Sequence, residues 1–177
     1  IIYEHCSYFS PQSLAYLFRK HGFRVLAVNE VFGGQFLTIE AVPDDGASAP
    51  PDTTAELDAL AADARAFAAN YRAKRDEWQA RLRSLAADGQ RGVVWGAGSK
   101  GVTFLNAMDA GDEIVAVVDI NPRKQGKYVA GTGQLIVPPG RLNELQPDFV
   151  IIMNANYRDE IGRMLDEVGV QAQIMVA

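Results

Sequence analysis

The sequence predicts an α/β protein whose last part is a Rossmann-like domain built on a parallel sheet. From Gly92 onward, short apolar strands alternate with helical segments, a pattern typical of parallel strands joined by helical crossovers. The glycine-rich turn Gly96-Ala97-Gly98-Ser99-Lys100-Gly101 follows the first of these strands and begins a helix. A continuous helical pattern over residues 53–89 precedes this domain.

Four segments follow one another along the chain. Ser10-Pro11 supplies an N-cap and a first helical residue, and Gly33-Gly34 joins two β-rich runs as a hairpin. A strand, a helix and a hairpin bury too little apolar surface to stand alone, so we expect them to end a larger sheet. The predicted segments are a strand-helix-hairpin tail (1–42), a linker of Pro, Asp, Gly and Ala (43–52), a long connecting helix (53–89) and the Rossmann-like domain (90–177).

The long helix carries one apolar stripe. Thr53 and Glu56 have the spacing of a capping box at its start. Lys74, Arg75 and Arg81 interrupt the second row that a coiled coil needs, which favours a strut between domains over a homodimer seam. The residues that recur every seven positions along the stripe are Leu57, Ala64, Tyr71, Trp78 and Leu85.

Composition excludes several classes of function. A net charge of −5 argues against nucleic-acid and membrane-surface partners, and no apolar run is long enough to span a membrane. The single cysteine, Cys6, excludes an internal disulfide and, with only two histidines, a zinc cluster; it fits the reducing cytoplasm. Because the chain opens with Ile1 rather than Met, we expect it to be part of a longer protein.

The glycine-rich turn is the strongest candidate binding site. Gly96 permits a sharp turn, Gly98 lets a phosphate approach the backbone, and Gly101 allows the helix to pack closely on the strand. The free amides at the helix start, from Ser99 onward, would face the anion, and Lys100 would add a full positive charge. The alternative is that the glycines only shape a tight turn.

Polar side chains after two other strands extend this candidate site. Asp119 closes the second strand of the domain, where an acidic residue can bind a ribose hydroxyl; alternatively it caps the turn at Asn121-Pro122. Lys124 and Tyr128 lie in the following loop, and Asn156 follows the third strand. The carboxyl ends of parallel strands meet at one edge of a sheet, which is where such sheets bind ligands. A solvated loop and an amide that caps the next helix are the alternatives.

A second candidate site lies near the beginning of the chain, at Tyr3-Glu4-His5 with Tyr8. Histidine is the usual proton acceptor near neutral pH. Neighbouring residues of a regular strand point to opposite faces, so Glu4 and His5 act together only if the strand ends there.

Several separated motifs resemble one family. The segment from Ile2 to Ser10 resembles the Y-H-E-H-x-S-Y-F-S segment of S-adenosylmethionine-dependent sugar C-methyltransferases, which act on nucleotide-linked 4-keto deoxysugars. This chain lacks the family's extra His before the Glu, its methyl-donor site and its N-terminal cysteine cluster for zinc. Similar to the family's C-terminal domain are residues 96–101, residues 118–128, Gly131-Thr132, Val137-Pro138-Pro139 and Asn156.

The resemblance implies a mechanism and a division of labour. A base removes the proton next to the ketone, and the enolate attacks the methyl group of S-adenosylmethionine. His5 matches the general base and Glu4 the assisting acid. It also implies that residues 1–42 are the C-terminal tail of a class I methyltransferase domain. The upstream part of that domain binds S-adenosylmethionine, so this chain alone should not methylate. The residues expected to bind the nucleotide-sugar are Tyr8, Gly96, Gly98, Ser99, Lys100, Gly101, Asp119, Lys124, Tyr128 and Asn156.

Two other classes of function remain open on the residues alone. The glycine turn suits an NAD-dependent oxidoreductase, although the domain after Gly92 has room for only about half of a dinucleotide fold. The long helix suits a non-catalytic interaction or dimerisation domain.

Overall fold

A computed structural model describes residues 3–44, 46 and 54–177 of the chain. They form two compact units. Residues 3–5 and 72–177 make the larger unit, and the described residues of 6–71 make the smaller one. Most of the predicted linker lies outside the described residues. The predicted capping residue Thr53 also lies outside them.

The smaller unit has the predicted helix and hairpin. Ser10 caps the helix, because its Oγ accepts a bond from the Ser13 amide at 3.2 Å while Ser13 Oγ accepts one from the Ser10 amide at 2.8 Å. The two antiparallel strands turn at Gly33 and Gly34, which both have positive φ. The elements are α1 (Pro11–Lys20), β1 (Phe23–Val31), β2 (Phe36–Pro43) and the first part of α2 (Thr54–Ala87).

The smaller unit has little core. Ala15 is its one buried apolar side chain among the described residues. Large apolar side chains of both strands, of the hairpin turn and of α2 are exposed instead: Phe23, Leu26, Phe32, Phe36, Leu57 and Phe67.

The predicted opening strand is wrong for the described residues 3–10. Tyr3 and Glu4 form a turn, and residues 5–10 are irregular. The Tyr3 amide donates to Oγ1 of Thr103 at 3.3 Å. The backbone here is therefore bonded to a helix side chain and not to a neighbouring strand.

The larger unit confirms the predicted α/β fold with a parallel sheet. Five parallel strands lie in the order β5-β4-β3-β6-β7. β5 has only two residues, too few to leave a periodic pattern in the sequence. The elements after α2 are β3 (Gly92–Trp95), α3 (Ser99–Met108), β4 (Ile114–Val118), β5 (Ile136–Val137), α4 (Leu142–Leu145), β6 (Phe149–Ile152), α5 (Arg158–Glu167) and β7 (Gln173–Val176).

Each face of the parallel sheet has its own apolar layer. Successive residues of β3 point to opposite faces, so Val94 packs in one layer and Val93 in the other. The end of α2 belongs to the first layer, where the Trp78 ring meets Phe104 of α3 edge to face, with centroids 5.3 Å apart. This packing fixes α3, and with it the glycine turn, on the sheet.

Candidate functional site

The turn between β3 and α3 needs glycine at two positions. Gly96 has φ +106°, in the region that L side chains rarely adopt. A Cβ on Gly101 would lie 2.1 Å from the carbonyl oxygen of Gly96, so helix and strand approach too closely for any side chain there. These are the two structural roles that the spacing of the glycines predicts.

Gly98 differs from these two glycines. Its φ is −92°, and a Cβ added there would meet open space, so packing within the chain does not require glycine at this position. Gly98 is the N-cap residue of α3, and Lys100 is exposed in the first turn of that helix. The open space therefore borders free backbone amides and a lysine, an arrangement that suits an anionic group.

Asp119 ties the glycine turn to the loop that follows β4. Its Oδ2 atom accepts bonds from the Ala97 amide at 2.9 Å and from Lys124 Nζ at 3.0 Å. Its Oδ1 atom accepts a bond from the Asn121 amide at 2.8 Å. The last bond fits the alternative that Asp119 caps this turn, and a ribose hydroxyl would have to share oxygens already bonded within the protein.

Asp119 is charged at neutral pH despite its burial. Burial alone would raise the pKa of its carboxyl group. The Asn121 amide, the Lys124 ammonium group and the Ala97 amide outweigh burial and lower the pKa below its ordinary value. The carboxylate is therefore a fixed negative centre under the turn.

Lys124 bonds to the same corner of the structure, where the glycine turn meets the loop that follows β4. In addition to Asp119, its Nζ atom donates to the carbonyl oxygen of Ala97 at 3.0 Å. The side-chain amide of Gln125 donates to the Asp119 carbonyl oxygen at 2.9 Å. These bonds fix the loop after β4 against the glycine turn.

Glu4 lies against the start of α3. Its Oε2 atom accepts a bond from the Ser99 hydroxyl, and its Oε1 atom accepts one from the Tyr3 hydroxyl at 3.2 Å. The bonds from Ser99 and Tyr3, in that order, lower the pKa of Glu4, and Lys124 adds a smaller effect in the same direction. The structure thus joins the two candidate sites that the sequence left apart, because Glu4 and Ser99 are 95 positions from one another.

The other predicted site residues are more dispersed. Tyr8 is exposed in the smaller unit. Tyr128 is exposed and forms an isolated antiparallel bridge with Leu135. The backbone amide of Asn156 donates to Oδ1 of Asn154 at 3.0 Å, so Asn154 is the residue that caps the turn after β6. His5, next to Glu4, is exposed.

Asn106 is a structural residue that sequence reasoning missed. Its Nδ2 atom donates to the carbonyl oxygens of Val102 at 2.9 Å and Ala130 at 3.0 Å. A Cβ on Gly131 would lie 2.0 Å from Oδ1 of Asn106. The glycine of the Gly131-Thr132 motif therefore makes room for this amide, a long-range contact that no local pattern signals.

The described residues offer neither a metal centre nor a membrane span. Within residues 3–44, 46 and 54–177, no three His, Cys, Asp or Glu side chains are grouped to hold a metal ion. No helix in these ranges is both long and apolar enough to cross a membrane.

Comparison with known proteins relates the chain to C-methyltransferases. The family model of the C-methyltransferase C-terminal domain matches residues 52–176. The C-methyltransferase NovU of Streptomyces niveus is 31% identical, over 91% of this chain and 41% of NovU. The chain thus spans less than half the length of this relative.

Proposed function

Because the chain belongs to the C-methyltransferase C-terminal domain family, we propose that it is the C-terminal part of an S-adenosylmethionine-dependent C-methyltransferase. The proposed substrate is a nucleotide-linked keto-deoxysugar, in line with the motifs of residues 2–10 and 118–128. Since 41% of NovU corresponds to this chain, we assign the methyl-donor site to a domain outside it.

The proposed reaction forms a carbon–carbon bond. The imidazole of His5 accepts the proton next to the ketone, and the electron pair of the broken C–H bond becomes an enolate. The enolate carbon attacks the methyl carbon of S-adenosylmethionine, the S–CH3 bond breaks, and S-adenosylhomocysteine leaves. Glu4 assists because a carboxylate stabilises the imidazolium cation that His5 becomes.

One observation carries this proposal: Glu4 is bonded to Ser99 at the start of α3. Residues 3–5 and the glycine turn belong to the same unit, so the acid–base pair and the anion-suited helix start are held together. We assign the nucleotide end of the substrate to the open space over Gly98 and to Lys100, with Tyr128 and Asn156 as further contacts.

The complete enzyme tests this function. With S-adenosylmethionine and a nucleotide-linked 4-keto deoxysugar, we expect His5→Ala to abolish methyl transfer while the affinity for S-adenosylmethionine stays unchanged. His21→Ala is the matched control, since His21 is an exposed C-cap residue of α1 and should keep full activity. Methyl transfer by His5→Ala at the wild-type rate would contradict the base assignment.

Substrate binding is tested separately by Lys100→Ala. We expect this variant to raise KM for the nucleotide-sugar more than it lowers kcat, because an exposed lysine contributes to binding in the ground state and the transition state alike. Unchanged kinetics would contradict its assignment. Tight binding of NAD in isothermal titration would favour an oxidoreductase instead.

A further inference from the structure

We propose that Ser99 is a positioning residue that holds the carboxylate of Glu4 for catalysis, and not a ligand of the substrate's phosphates. This inference rests on the proposed function, because only the proposed reaction gives Glu4 a catalytic role. It changes the role of Ser99 from the phosphate contact that the glycine-rich motif predicts.

Two side chains of one helix hold the segment that contains Glu4. Ser99, the first residue of α3, donates its hydroxyl proton to Oε2 of Glu4. Thr103 accepts the backbone amide of Tyr3 at 3.3 Å through its own hydroxyl oxygen. Residues four apart share one face of a helix, so Ser99 and Thr103 fix two consecutive residues of the segment from the same face.

The bond between Tyr3 and Glu4 completes this anchor. The Tyr3 hydroxyl donates to Oε1 of Glu4 at 3.2 Å, so each oxygen of the carboxylate has a hydroxyl donor. A carboxylate at the N-terminal end of a helix is further stabilised by the partial positive charge there. Glu4, the residue next to His5, is therefore held as an anion.

The same bond argues against a phosphate on Ser99. The Ser99 hydroxyl has one proton, and that proton is engaged by Glu4. A phosphate at this hydroxyl would also lie beside the negative charge of Glu4, and like charges repel. The nucleotide's phosphates would instead lie toward Gly98 and Lys100.

The two roles of Ser99 predict different kinetics for Ser99→Ala in the complete enzyme. We expect kcat to fall about 10- to 100-fold, as for the loss of a hydrogen bond to a charged group, while KM for the nucleotide-sugar stays within about twofold. Without its Ser99 bond, the pKa of the Glu4 carboxyl group rises, which an NMR titration of that group measures. Ser99→Thr, which keeps the hydroxyl, should restore most of kcat. Ser84→Ala, at an exposed position of α2, is the matched control.

Each outcome decides the inference. A raised KM with unchanged kcat would overturn it in favour of a phosphate contact, and unchanged kcat and KM would overturn it outright. If the wild-type enzyme shows no turnover of keto-sugars, the proposed function fails by itself. An NMR titration of the Glu4 carboxyl group in this chain then decides the Ser99 contact: a higher pKa in Ser99→Ala supports it, and an unchanged pKa overturns it.

Discussion

The ammonium group of Lys124 lies 3.0 Å from Oδ2 of Asp119, and the same oxygen accepts the Ala97 amide of the glycine turn. The sequence predicts both side chains as ligands of the nucleotide-sugar, yet each is bonded within the protein. The pair fastens the turn to the loop after β4. Its first effect is therefore on the stability of the corner on which the candidate site is built.

Replacing Asp119 should destabilise the fold. Asp119→Ala leaves the Ala97 and Asn121 amides without an acceptor and removes one of the two acceptors of the Lys124 ammonium group. We therefore expect the free energy of unfolding to fall by about 1–3 kcal/mol. Urea unfolding followed by circular dichroism measures this change. Asp112→Ala, at an exposed loop position, should have no such effect. Equal stability of both variants would show that the corner does not depend on Asp119.

Asp119 should make the stability of the protein depend on pH in the acid range. Its pKa is lower in the folded than in the unfolded chain, so its stabilising contribution is complete above the unfolded value of about 3.8. That contribution is lost as the pH falls through the lower folded value. We expect Asp119→Asn to remove this part of the acid dependence when unfolding is measured between about pH 5 and pH 2. Parallel curves for wild type and variant over this range would refute the assignment.

Substitution of two glycines of the turn should separate an effect on stability from an effect on substrate binding. Gly101→Ala forces a Cβ against the Gly96 carbonyl oxygen, and we expect it to cost about 1–3 kcal/mol of stability. Gly98→Ala meets open space, so stability should fall by no more than about 1 kcal/mol, the cost of alanine at an N-cap position, while the affinity for the nucleotide-sugar falls. Urea unfolding and isothermal titration measure the two effects. A Gly98→Ala variant with undiminished affinity would return this turn to a purely structural role.

Local chemistry predicted much of the fold. The cap at Ser10-Pro11, the hairpin at Gly33-Gly34 and the glycines at positions 96 and 101 all act through the backbone of neighbouring residues, which a sequence pattern records. The two-residue strand β5 escaped prediction, because its place in the sheet is set by pairing with β4 and not by its own pattern.

The sequence predicted individual residues of the candidate site but not the hydrogen bonds between them. Residue type and spacing identified Glu4, Ser99 and Asp119 as polar groups of interest. Which atoms they bond depends on contacts across 22 positions for Ala97 and Asp119 and 95 for Glu4 and Ser99. Such contacts exist only in the folded chain, so the choice between a substrate ligand and an internal tie needed the structure.

Proton removal from the sugar tests the central proposal most directly. In the complete enzyme, with S-adenosylhomocysteine in place of the methyl donor, the proton next to the ketone of the nucleotide-linked sugar should exchange with deuterium from the solvent, which NMR or mass spectrometry detects. We expect wild type and His21→Ala to catalyse this exchange and His5→Ala to lose it. Exchange at the wild-type rate in His5→Ala would contradict the account.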